Sequence, residues 1–309
     1  MHARDFTTTT GPASLPANPM IAIGMMALGF LLFSISDAAS KLMTGDFHPL
    51  QVAWTRQLGL LSVGLWLLAR RGPAIFRTRR PKLQLARGTV AALSSSMFIF
   101  AVSYVPLAEA IAIAFVAPFV VTIFGALILK EPVGARRWIA VVIGFVGMLI
   151  VVRPGYASFH PAMFLVLASA ALFSARQILS RMVGPVDMTS TTILYSSLTA
   201  ISLLSVPAIL VWSTPTTLGQ CGALLCVAAS AGMGEVLIIR ALERAHAVVL
   251  APVQYTLIVW GTIWGWMLFA QFPDHWTLVG TSIIIASGLY TLHREHKAAR
   301  SAPKPEEVV

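Results

Sequence analysis

The chain has 309 residues, of which 57% are hydrophobic and only 11% are charged, with a mean hydropathy of +0.80. A soluble globular domain carries about 25% charged residues. That gap excludes a soluble domain and points to a polytopic membrane protein, whose helices meet lipid or one another.

In chain order, residues 1–19 come first, MHARDFTTTTGPASLPANP. They are polar, lack a basic n-region and cleavage site, and read as a disordered cytoplasmic tail rather than a signal peptide. Ten apolar segments follow, at 20–43, 50–70, 84–104, 108–130, 136–153, 161–182, 189–212, 218–241, 247–270 and 275–293. Each approaches the roughly 20 residues that cross a bilayer. Breakers mark the joints: GDFHP at 45–49, RPG at 153–155, GPVD at 184–187, STPTT at 213–217 and FPDH at 272–275. Residues 295–309 read as a basic cytoplasmic tail.

The net charge of +10 is explained by topology. With the N-terminus inside, 18 of the 22 Lys and Arg residues fall at cytoplasmic ends or tails, including Arg70, Arg71, Arg77, Arg79, Arg80, Lys82 and Arg87. Lys41, Arg56 and Arg153 lie toward the other side, and Arg176 lies inside a helix. The positive-inside rule then places both termini in the cytoplasm of an inner membrane. The basicity needs no nucleic-acid partner. Cys221 and Cys226 sit on different helix faces and fit no metal motif. No zinc, Walker or dinucleotide fingerprint occurs, so neither metal nor cofactor is expected.

The chain repeats itself. FSISDAASK (33–41) resembles FSARQILSR (173–181) at a shift of 140. LKEPVGARRWIAVVIGFVG (129–147) resembles FAQFPDHWTLVGTSIIIASG (269–288) at 140, pairing Glu131 with Gln271. YVPLAEAIAIAFVAP (104–118) resembles RALERAHAVVLAP (240–252) at 134, pairing Pro118 with Pro252. The expected units are 20–155 and 160–294, each of five helices. Five is odd, so the second copy enters the membrane inverted. The expected fold is therefore all-α, with ten transmembrane helices as two inverted five-helix repeats and a substrate site between them.

With these features the chain resembles the drug/metabolite transporter superfamily, EamA-type. The likeness rests on the ten segments, the duplication, Arg56 after HPLQVAW, the Ala-Pro pairs at 117–118 and 251–252, and LILKEPVGARRWIAVVIGFVGMLIVVRPG. It implies transport of amino acids, vitamins such as riboflavin, nucleoside-like cofactors, metallophores or sugars. The family usually repeats the helix-end glutamate in its second half. Here that place holds Gln271.

Charges within the membrane are costly and mark function by default. At 1.5 Å per residue, Asp37 lies roughly 9 Å and Arg56 roughly 6 Å beyond the midplane on one side. Arg176, Gln177, Glu235, Gln254 and Tyr255 lie on the other. Ser34, Asp37 and Lys41 share one helix face. Asp37 either pairs with Lys41 in the favourable i, i+4 order or serves substrate or proton. Arg176 either locks onto Glu235 or meets a substrate carboxylate, phosphate or ring carbonyl. Asp37 and Glu235 are the proton-coupling candidates. Pro118 and Pro252 are kinks or hinges. Trp260 and Trp264 face lipid, pack in the core or stack a flat ring.

Together these readings predict a secondary transporter moving a small organic metabolite by alternating access, not an enzyme. The alternative is a membrane receptor or scaffold with sealed polar layers.

Overall fold

A computed structural model of the chain describes residues 19–155, 159–184, 186–245 and 247–301. Most of the N-terminal tail and residues 302–309, with Arg4 and Lys304, lie outside them.

Among the described residues every regular element is helical. They are α1 (Pro19–Met43), α2 (Pro49–Arg71), α3 (Pro81–Val102), α4 (Leu107–Ala114), α5 (Ala117–Ile128) and α6 (Ala135–Val152). The second half holds α7 (Met163–Val183), α8 (Thr189–Leu210), α9 (Leu218–Leu242), α10 (Ala247–Leu250), α11 (Thr256–Phe269) and α12 (His275–Ser301). Short 3-10 turns lie at Pro73–Phe76 and Ala251–Tyr255. Eight helical stretches are long and apolar enough to cross a membrane, with α4 and α5 together forming the fourth pass. The ninth pass is α10, the 251–255 turn and α11. The tenth is α12, which runs to Ser301, past the expected end at 293.

The local chemistry explains these boundaries. Proline opens α2 and α3 within their first turn, where its missing N–H costs nothing. The His48 ring accepts the Leu50 amide at 3.2 Å and caps α2. Asp274 caps α12, accepting the Thr277 amide at 2.8 Å.

The duplication is legible in three dimensions. α2 and α8 start at 49 and 189, α4 and α10 at 107 and 247, and α6 and α12 at 135 and 275. Each difference is 140. Lys130 and Ala270 are both left-handed, with φ of 56° and 52°. After each, the chain returns to bond a glycine carbonyl: the Glu131 amide to Gly125 at 3.1 Å and the Gln271 amide to Gly265 at 2.9 Å. The fourth and ninth passes therefore also end at a shift of 140. Pro118 and Pro252 do not occupy equivalent places. Each stands in the first turn of a new helical segment, not mid-helix, so neither removes an internal hydrogen bond. The kinks come from the breaks before them.

Packing obeys the same exchange of halves. α1 lies along α9 as α7 lies along α3, and α1 meets α11 as α7 meets α5. α2 pairs with α8 and α6 with α12 across the pseudo-two-fold axis. Two crossings require glycine. A Cβ on Gly59 would fall 1.8 Å from the Ala228 carbonyl oxygen, and one on Gly280 would fall 2.5 Å from that of Gly147. Helices in lipid associate through such close approach, because burial of apolar surface gives no preference for protein over acyl chains.

At the arginine-rich end, Asp187 after α7 joins the halves. Its carboxylate accepts from the Thr78 hydroxyl, the Arg79 amide at 3.2 Å and the Gln84 amide group at 2.9 Å. Burial pushes this carboxyl up, but those bonds and the Arg79 charge together hold it below its ordinary value of 3.8. A depressed folded value stabilises the fold above the ordinary value, and the contribution is lost as pH falls through the folded one. The melting temperature of the wild type is expected to fall more steeply than that of Asp187→Asn between about pH 5 and 3. Parallel melting curves would refute this role.

Candidate functional site

Two polar layers lie between the halves. In the layer toward the Asp274 end, Arg56 of α2 donates to the Asp37 carboxylate of α1. Its guanidinium also lies 5.8 Å from the Phe33 ring centroid. Trp264 of α11 donates from Nε1 to the Ser34 hydroxyl at 3.0 Å, and Ser34 donates to the Leu31 carbonyl at 2.6 Å. Asp37 thus pairs with Arg56 rather than with Lys41 one turn along its own helix. Lys41 instead donates to the Val102 and Val105 carbonyls at 2.6 and 2.7 Å. Val102 ends α3 and Val105 lies in the turn just after it, so a cation there is well placed at a helix C-terminus.

The middle is aromatic. Tyr255 stacks on Phe115 of the opposite half, with centroids 5.1 Å apart and planes at 27°. Gly288 makes room for it, since a Cβ there would meet the Tyr255 hydroxyl oxygen at 1.7 Å. Gln254 beside it is half-buried, as is Trp260, one turn from Trp264.

The layer toward the arginine-rich end is different in charge. The Arg176 guanidinium of α7 lies 4.6 Å from the Phe173 ring centroid, and its Nε is buried without a hydrogen-bond partner. Arg87 of α3 donates from Nε to Ser180 at 2.7 Å and from Nη1 to Ser196. The charge of Glu235 on α9 acts on both arginines. Among the described residues Glu235 makes no ion pair within 4.0 Å, so it does not lock Arg176 in place. Two arginines against one glutamate leave this layer with one excess positive charge.

The two ends of the molecule also differ in closure. At the Asp274 end, α4 packs against α11. The equivalent elements at the arginine-rich end, α5 with α10 and the 251–255 turn, show no comparable packing among the described residues. Exposure follows: Asp37 is buried, whereas Gln177, 140 residues on, is exposed. The Asp274 end is thus the more closely packed of the two.

Sequence reasoning missed Arg87. It lies within α3 but follows a loop rich in arginine, and its charge was absorbed by topology. It also missed Glu109 of α4, which lies in the fields of Asp274, Arg153 and Lys41. Arg153 and Asp274 pair at 2.7 Å and join the ends of α6 and α12.

The fold is that of a multi-pass membrane protein. Residues 20–153 match the model of the EamA-like transporter family, so the chain carries an EamA-like domain. The S-adenosylmethionine uptake transporter of Rickettsia bellii is 28% identical over 279 residues, covering 90% of this chain and 95% of that protein. The pseudopaline exporter CntI of Pseudomonas aeruginosa is 29% identical, covering 85% and 93%. The riboflavin transporter of Brucella anthropi is 24% identical, covering 81% and 90%. A solved crystal structure shares the fold at a TM-score of 0.62 and 20% identity, over 89% of this chain and 98% of that one. These relatives are named as transporters of small metabolites.

Proposed function

We propose that the chain is a secondary transporter of the inner membrane, with both termini cytoplasmic, working by alternating access between its halves. Its solute is a small organic metabolite carrying an anionic group and a flat ring. The observation that carries this is Arg176, whose buried Nε has no partner and which shares an excess positive charge with Arg87. A buried donor left unbonded costs free energy unless a ligand completes it. The Phe115–Tyr255 stack and Trp264 supply apolar ring faces above that charge.

S-adenosylmethionine, with an amino-acid head and an adenine ring, matches this pattern, and riboflavin matches its aromatic part. Glu235 faces the ammonium of an amino-acid head and is the stronger proton candidate, since Asp37 is held by Arg56. The test is a thermal-shift screen of both solutes on purified protein, followed by counterflow in proteoliposomes. The expected result is stabilisation and counterflow with one of them, and loss of the pH dependence of uptake in Glu235→Gln. Stabilisation without counterflow would mark a receptor, and no response to either solute would refute the solute class.

A further inference from the structure

One position is treated differently by the two repeats. Lys41 and Arg181 are equivalent at a shift of 140, as are Gln271 and Glu131. Arg181 Nη1 lies 3.2 and 3.3 Å from the two Glu131 carboxylate oxygens, which ties α7 to the end of α5. Lys41 has no acid at the equivalent place. Its ammonium holds the Val102 and Val105 carbonyls and lies 5.3 Å from the Phe269 ring centroid of α11. The Gln271 Oε1 atom is buried without a hydrogen bond. Lys41 therefore stands at the more closely packed end, bridging α1, the end of α3 and α11. Arg181 stands at the other end, docked on a neighbouring acid.

We propose that Lys41 and Arg181 are the two gate residues of the transport cycle, each closing its own end by binding the carbonyls at the end of the third long helix of its own repeat, as Lys41 binds those at the end of α3. This rests on the alternating-access reading. When the arginine-rich end closes, Arg181 leaves Glu131 for the carbonyls of Leu242 and Ala245, the equivalents of Val102 and Val105. Lys41 is then released, and it meets Gln271 where an acid would have received it. Glu109 adds to the imbalance, since its charge acts on Lys41 in the sealed state and its equivalent is the apolar Val249. The cycle therefore rests with the arginine-rich end open. Glu131 and Gln271 act through the gate cations and are positioning residues.

The test uses a thiol reporter at the sealed end. Ser40 is buried and its hydroxyl has no partner, so Ser40→Cys is a mild change. It is placed in a Cys221→Ser, Cys226→Ser background, in vesicles of both orientations. The reporter reacts with an impermeant thiol reagent in proportion to the population open at that end. An ion pair this exposed shifts an equilibrium by up to about fivefold. Glu131→Gln, which removes the dock of Arg181, is expected to speed labelling about two- to fivefold. Gln271→Glu, which supplies a dock for Lys41, is expected to do the same. The charge-exchanged pair Glu131→Arg, Arg181→Glu returns the rate toward that of the parent. A merely structural role would lower the melting temperature without raising the rate. An unchanged or slower rate in either single variant overturns the proposal. If the reporter protein itself shows no counterflow of any metabolite, the transport reading fails instead, and the labelling rates still decide the gates.

Discussion

Arg56→Met is expected to destabilise the fold by about 3–5 kcal/mol, because it strands a buried carboxylate. Asp37 is 9% exposed, and Arg56 is its one ion-pair partner among the described residues. That burial keeps solvent from replacing the lost donor. The loss should be largely recovered in Asp37→Leu, Arg56→Met, since an apolar pair of similar volume leaves no buried charge. Unfolding in detergent micelles, with both single variants and the double, gives the coupling directly. A loss below about 1 kcal/mol in Arg56→Met, the range of an exposed pair, would show that the two groups are solvated.

Arg176→Gln is expected to act on transport and hardly on stability. Its Nε has no partner, and among the described residues it makes no ion pair within 4.0 Å. Removing it therefore breaks few bonds in the empty protein. In the loaded protein it removes a desolvated charge contact, which costs about 2–4 kcal/mol. At 1.4 kcal/mol per factor of ten, the specificity of uptake should fall about 30- to 1,000-fold, mostly through KM. Arg176→Lys should recover only part, since an ammonium lacks the planar fork that matches a carboxylate. An unchanged KM in Arg176→Gln, or a collapse of the melting temperature, would assign Arg176 to structure.

The contrast between these two arginines shows what was readable. Both lie inside apolar helices, which marks them equally. Arg56 sits beside an acid of the neighbouring helix at matching depth, and depth along a helix follows from residue count. Arg87 was not readable, because its position past a basic loop makes it indistinguishable from a topology charge. Only the packing of α3 against α7 turns it toward Ser180. The 134 shift of the Ala-Pro pairs misled for a related reason. Three scattered identities carry little information, whereas the starts of α4 and α10 and the left-handed residues Lys130 and Ala270 all agree on 140.

The sequence by itself determined the helical passes and the duplication, and it marked the charges that lie inside them. These follow from apolar length, the odd number of helices per repeat and 1.5 Å per residue, all of which are local. The tertiary structure decided which partner each charge takes and which end is the more closely packed. Lys41 could pair with Asp37 one turn away on its own helix, yet it reaches the last carbonyls of α3. That choice depends on how near the end of α3 lies to α1, which the packing of the helices sets and the spacing of residues along either one does not.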